Sequence, residues 1–299
     1  MDVVISGAGG FIGTALSASL RADGHRVRRL VRGGVTEGDA IAWDPQNGRI
    51  DAPALEGADA VVHLAGEGIG EHRWTDEQKR AIRDSRVRGT AVLAAAVASR
   101  ERKPRVFVSA SAIGYYGNRG DEVLTEDSAP GDDFLAQVCV AWEQETRPVT
   151  DAGVRTVLAR TGIVLDAHGG ALARMLLPFR LGLGGKQGSG KQWMSWIALA
   201  DEVGALRLAV EHDDLRGPVN LVAPNPVTNA DFAHALGAAL HRPAFMPAPS
   251  FAMRWLLGEM ADALLLSGQR AVPAKASHLL FTFSYPRLDE ALRAIFEKS

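Results

Sequence analysis

The stretch VVISGAGGFIG, residues 3–13, decides the fold. Val3, Val4 and Ile5 are β-branched and apolar, as in a strand buried on both faces. Over residues 11–22 the apolar positions recur at helical spacing, so strand gives way to helix within a few residues. Gly7, Gly10 and Gly13 occupy the turn. Their three physical roles are a tight turn, a close approach of backbone to a bound pyrophosphate, and close packing of helix on strand. The helix start offers unpaired N–H groups, and its dipole favours an anion there. A glycine triplet alone is only a tight turn. With a strand before it and a helix after it, the stretch reads as a dinucleotide site built from Gly7, Gly10, Phe11, Ile12 and Gly13.

The next strand, HRVRRLVRGG (25–34), bears on the choice of cofactor. An NAD site usually presents a carboxylate to the ribose hydroxyls about 20 residues after the glycines. This strand has no acid and carries Arg32 at its end, where a guanidinium can hold a 2′-phosphate through paired hydrogen bonds. The expected cofactor is therefore NADP(H) rather than NAD(H). Arg28 reads as part of a solvated basic edge.

In open α/β sheets the ligand lies beyond the carboxyl ends of the strands. Those ends read GAGG, RGG, HLAGEG, SASAIGYYG and ARTG, all small or polar. Leu64, Ala65 and Gly66 let a cofactor pass close to backbone, and Ser109 joins the cofactor side of the rim. Ser111 and Tyr115 are the candidate catalytic groups. His63 reads as a satisfied strand residue, and Glu67, Glu71, His72 and Arg73 as a second reservoir of polar groups.

Five apolar runs in the first half (DVVISG, RVRRLVR, ADAVVHLAG, PRVFVSAS and VRTVLARTG) alternate with helical patterns at 11–22, about 75–100 and 133–152. Such alternation means βαβ units and a parallel sheet covered on both faces. The expectation is an α/β fold: a Rossmann-type doubly wound parallel sheet with a smaller, mixed, mostly helical C-terminal lobe. Residues 1–165 form the dinucleotide-binding domain, with 196–222 returning to it; 166–195 and 223–299 form the substrate lobe.

Of the 299 residues, 46% are hydrophobic and 23% charged, an ordinary globular composition. A net charge of -2 gives no reason to expect nucleic acid or an anionic membrane as partner. The single cysteine, Cys139, excludes an intrachain disulfide, and the opening residues lack the pattern of a signal peptide, so a cytoplasmic location is expected. No His/Cys/Asp cluster has metal-ligand spacing, so no metal is expected. GKQGSGK (185–191) resembles a phosphate loop, but Gln192 stands where a hydroxyl must hold magnesium.

The glycine turn, VVHLAG, and Ser111 and Tyr115 in SASAIGYYG resemble the extended short-chain dehydrogenase/reductase family, which includes sugar-nucleotide epimerases and dehydratases. GSGKQWMSWIALADEVGAL is similar to that family's later strand and helix. GEGIGEHRWTDEQKRAIRDSRVRGT, RTGIVLDAHGG and the tail from Met246 to Arg293 resemble an atypical subgroup of nucleoside-diphosphate-sugar epimerases, and this likeness covers nearly the whole chain.

The family's chemistry needs a serine plus Tyr-xxx-Lys on one helix, where four-residue spacing puts both side chains on one face. Counted back from Glu143, those positions fall on Leu135 and Cys139, and none of the three tyrosines has a lysine four residues on. The standard pair is absent. Cys139, on an apolar helical face, reads as a small buried hydrophobe. What the resemblance implies is an oxidoreductase or epimerase acting on an unidentified carbonyl or sugar-nucleotide-like substrate; the sequence itself leaves the oligomeric state open, a homodimer included. The alternatives are a non-catalytic NADP(H)-binding redox sensor and a regulatory or interaction protein.

Overall fold

The computed structural model describes residues 1–33 and 38–297. Its centre is an eight-stranded sheet. The strands are β1 (Asp2–Ser6), β2 (Arg26–Arg32), β3 (Ala40–Asp44), β4 (Arg49–Ile50), β5 (Ala60–His63), β6 (Val106–Ala112), β7 (Arg155–Thr161) and β8 (Gly217–Leu221). Their order across the sheet is β8-β7-β6-β5-β1-β2-β3-β4. Every neighbouring pair is parallel except β3 and β4.

The order reverses at β1, whose neighbours are β2 and β5. Such a switch point is where doubly wound sheets open a ligand crevice. Alternation of side chains along β1 fixes which layer each residue joins. Val3 and Ile5 pack with Leu16 and Leu20 of α1 (Phe11–Ala22) and Leu206 of a later helix. Val4 turns to the opposite face, against Leu93 and Val97 of α2 (Asp76–Ala98). Both layers exclude water, which explains why β1 and β5 read as unbroken apolar runs rather than alternating ones.

Helix α2 starts where Thr75 accepts a hydrogen bond from the Gln78 N–H, and α3 (Phe134–Gln144) where Asp133 accepts one from Ala136. The stretch read as one helix over 133–152 is two, because α4 (Arg147–Asp151) begins afresh with Pro148 in its first turn. Proline has no N–H and clashes with the preceding turn, so the helix restarts there. The last two strands, β3 and the edge strand β4, escape a reading by period. They are short, and Gly48 in a left-handed conformation (φ +65°) turns the chain between them.

Beyond the sheet, α5 (Gly170–Arg180), α6 (Leu199–Glu211) and α7 (Asn229–Ala239) follow in chain order. Helix α6 packs back on α1 and covers the sheet. A separate apolar cluster joins Leu172 and Phe179 of α5, Trp196, Phe232 and Leu236 of α7, and Leu288 and Leu292 of the last helix. Among the described residues no helix is long and apolar enough to cross a membrane.

Candidate functional site

The glycine turn is built as its spacing requires. Gly7 has φ +70°, and a Cβ there would lie 2.8 Å from the backbone of Leu64 and Ala65. A Cβ on Gly13 would lie 2.1 Å from the Gly7 carbonyl oxygen. These positions must be bare to let α1 and the end of β5 close on the turn. Gly9 is different: a Cβ there meets nothing within 4 Å. Above the turn is open space. No side chain caps the Gly10 end of α1, so first-turn N–H groups have no capping acceptor from the chain's own side chains. The Phe11 ring packs on Gly169 and Gly170, and Ile12 on the sheet core, each half-buried.

Ser6 fastens β1 to β5. Its Oγ accepts from the N–H groups of Leu64 (3.1 Å) and Ala65 (3.3 Å) and lies 2.6 Å from His63 Nδ1. His63 is fully buried, and burial pushes its pKa down to about 4, so it stands neutral beneath the groove. Ser109 is also fully buried, with its hydroxyl turned to the Ala110 carbonyl at 3.2 Å.

Two arginines of β2 differ in their surroundings. Arg32, at the end of β2, is exposed and has no partner among the described residues. Gly34, which closes the RGG strand end, lies outside the described residues. Arg28, read as solvated, is instead half-buried. It donates to Asp2 Oδ1 at 2.8 Å and to the Ala54 carbonyl, pinning β2 to a neighbouring turn. Arg28 is structural.

Arg86 escaped the sequence reading. Its Nη1 donates to the carbonyls of Glu67 (3.0 Å) and Ile82 (3.1 Å), and its guanidinium lies 5.2 Å from the Trp142 ring centre. A Cβ on Gly66 would come within 3.3 Å of it. Burial lowers its pKa, opposed by the nearby Glu67 charge, and no carboxylate lies within ion-pair distance of it among the described residues. A desolvated cation with no carboxylate in hydrogen-bond contact, beside Gly66 on the rim, is suited to an anionic or polyhydroxy ligand. Helical phase could have found it: Ile82 and Gly89 are buried, and Arg86 lies between them on the same face.

A buried polar network joins β6, α3 and β7. Ser111 donates to Glu143 Oε1 at 2.7 Å. Arg160 grips the same carboxylate with two bonds, Nε to Oε1 at 2.8 Å and Nη2 to Oε2 at 2.9 Å. Its Nη1 donates to the Tyr116 hydroxyl (3.1 Å), which donates in turn to Asn220 Oδ1 (2.6 Å). Burial pushes the Tyr116 phenol up to about 12, so Tyr116 is fixed as a neutral donor. The Tyr115 ring lies 3.5 Å from the Arg160 guanidinium carbon, and its hydroxyl has no hydrogen-bond partner among the described residues.

Leu135 brings no polar atom to these groups, and the Cys139 thiol, though near enough to feel the charges of Glu143, Arg86 and Arg160, is buried. Leu135 joins Phe134, Ile69, Leu257 and Leu264 in packing on Trp74, Ile82 and Met260. Cys139 is 4% exposed, and burial pushes its thiol up to about 12. Glu71, His72 and Arg73 are exposed; Glu71 lies 4.0 Å from Arg174, and Arg73 packs by Gly258. In the phosphate-loop look-alike, the Gln187 N–H donates to Asn229 Oδ1 at 2.7 Å and Gln192 donates to the carbonyls of Gln187 and Leu265, so the segment is internally tied. Among the described residues no His, Cys, Asp and Glu cluster could hold a metal ion.

A glycine turn of this geometry, at the switch point of a parallel sheet, is matched at family level: residues 3–222 fit the model of the NAD dependent epimerase/dehydratase family. The chain belongs to that family. Residues 248–295 fit a second model, a domain of unknown function (DUF1731). Epimerase family protein Mb2239 of Mycobacterium bovis is 48% identical over 290 residues, covering 97% of this chain and 96% of its own. A crystal structure of human epimerase family protein SDR39U1 (isoform 2) with NADPH superposes with a TM-score of 0.93 at 38% identity, and each chain is covered over 100% of its length. The nucleoside-diphosphate sugar epimerase of Corynebacterium glutamicum superposes with a TM-score of 0.81 at 41% identity; 98% of this chain aligns with 57% of that one.

Proposed function

We propose that the protein binds NADP(H) across the β1–β5 switch point and uses it to reduce or oxidise a carbonyl or alcohol group on a small-molecule substrate. The turn from Gly7 to Gly13 would cradle the pyrophosphate, Arg32 the 2′-phosphate, and Leu64 to Gly66 the passage to the nicotinamide, with Arg86 beside it. The fit rests on the open space above Gly9, the uncapped start of α1, the unpartnered Arg32 and the buried Arg86, whose guanidinium hydrogen-bonds only carbonyl oxygens among the described residues. The human relative crystallised with NADPH supports the same reading.

When bound, the cofactor supplies or accepts a hydride. The chain must then supply a proton to the carbonyl oxygen, or remove one from the alcohol. Leu135 and Cys139 can do neither. The Ser111 proton is directed at Glu143 and the residue is 4% exposed, so Ser111 fits a fixed member of the frame better than a donor. Tyr115 carries the proposal: its hydroxyl, at the carboxyl end of β6, is the one polar group of the pair that the fold leaves uncommitted. The proton passes from the Tyr115 phenol to the substrate oxygen and is replaced from solvent.

A second reading, a redox sensor without turnover, draws on the apolar packing of Leu135, which closes off the place where the helix would otherwise present a phenol. A panel of carbonyl compounds and nucleoside-diphosphate sugars, followed by NADPH absorbance, separates the two. Turnover that falls about 100-fold or more in Tyr115→Phe, with NADPH affinity unchanged, is expected. Full activity in Tyr115→Phe removes Tyr115 from the mechanism, and no oxidation of NADPH across the panel favours the sensor.

A further inference from the structure

Ser111 and Tyr115 lie four residues apart at the end of β6, and both are held by one ion pair. Ser111 is bonded to Glu143, and the Tyr115 ring is stacked on Arg160. The two charged partners come from different elements, Glu143 from α3 and Arg160 from β7. Their side chains are 10% and 4% exposed, and the guanidinium meets the carboxylate with two parallel bonds. Such a fork fixes the plane of the guanidinium. Its remaining nitrogen, Nη1, is held by the Tyr116 hydroxyl and the Glu126 carbonyl. Arg160 is therefore immobilised on every side but one, and that side faces Tyr115. Tyr116, itself buried, closes on the Tyr115 ring edge-on, with centroids 5.4 Å apart.

We propose that Arg160 is a positioning residue for Tyr115, and that the Glu143–Arg160 pair is the means by which α3, without its tyrosine and lysine, still serves the site. A guanidinium face on an aromatic ring is attractive, and a buried, bidentate one offers a rigid platform. It holds the ring flat so that the phenol oxygen stays at the rim. This inference rests on the reading of Tyr115 as proton donor, but the ring's confinement can be measured without a substrate.

The chain has three tyrosines, so protein labelled with meta-fluorotyrosine gives three fluorine NMR signals, assignable by Tyr→Phe variants. In the unaltered protein the Tyr115 signal should be displaced from its position in the denatured chain. In Arg160→Lys, which keeps a charge but loses the fork, it should move to the denatured position and narrow. The Tyr285 signal, in the second lobe, reports whether that variant folds. Should it not fold, Glu143→Gln, which loosens one side of the fork, is measured instead. A Tyr115 signal already narrow and undisplaced in the unaltered protein overturns the proposal, as does one unchanged in the variant that folds. For any carbonyl that the unaltered protein reduces, Arg160→Lys should lower kcat by about 100-fold with KM and NADPH affinity unchanged, as expected of a misplaced donor. A mobile ring sinks the role of Arg160 and leaves Tyr115→Phe to judge the donor. Full activity in Tyr115→Phe sinks the donor and leaves the ring signal to judge Arg160.

Discussion

A Cβ on Gly13 would fall 2.1 Å from the carbonyl oxygen of Gly7, so the first turn of α1 is seated against the turn that precedes it. That contact fixes where the helix start points. Nothing comparable restrains Gly9, which faces open space.

The two glycines should therefore separate folding from binding. Gly13→Ala forces the helix off the turn and is expected to cost about 1–3 kcal/mol, as overpacking does. Gly9→Ala is expected to leave thermal stability nearly unchanged while weakening NADPH binding, because its methyl group enters the space above the turn. Denaturation curves and NADPH titrations of both variants check this. A Gly9→Ala protein that binds NADPH normally would show that the open space is not the pyrophosphate cradle.

The Glu143–Arg160 pair makes a graded stability prediction. Glu143→Ala strands a buried guanidinium and should lower stability by about 3–5 kcal/mol. Ser111→Ala leaves both Arg160 bonds to Glu143 in place and should cost only about 1 kcal/mol. Urea unfolding measures both, and equal losses would contradict the hierarchy.

Stability should also depend on pH through two buried groups with opposite signs. His63, down at about 4 in the folded chain against 6.5 unfolded, contributes stability above 6.5 that is lost as pH falls toward 4. Glu202 is 1% exposed; burial, opposed by its bond to Thr161, pushes it up to about 8. It contributes stability below its unfolded value of 4.5 that is lost as pH rises through 8. Above pH 6.5 only Glu202 of the two acts. Glu202→Gln should gain up to about 2 kcal/mol relative to the unaltered protein between pH 6.5 and 8. An unchanged difference across that window would show that Glu202 is ionised in the folded chain.

Cys139 should be inert. Its burial and raised pKa leave almost no thiolate at neutral pH, so an aromatic disulfide reagent should label it only after denaturation. Stoichiometric labelling of the folded protein would reopen the thiol as a reactive group.

Much of this was legible in residue order. The strand–turn–helix at the start of the chain and the strand carrying Arg32 are local patterns, and local patterns can be read from one sequence. The loss of tyrosine and lysine at positions 135 and 139 was legible by counting. The network that holds Ser111 and Tyr115 was not, because Glu143 and Arg160 lie 17 residues apart and meet only when α3 packs on β6 and β7 pairs beside it. Arg28 misled because exposure and pairing with Asp2 depend on which strands are neighbours, and the sheet order is not written locally. Arg86 looked like Arg83 and Arg88 until helical phase separated them.

The central claim, a site built for NADP(H), is tested most directly by titrating the protein with NADPH and NADH side by side. A charged contact to the 2′-phosphate contributes about 1.5–3 kcal/mol, so NADPH should bind at least about tenfold more tightly, and Arg32→Ala should erase the difference while leaving NADH affinity unchanged. Equal affinities for the two cofactors in the unaltered protein, or no measurable binding of either, would contradict it.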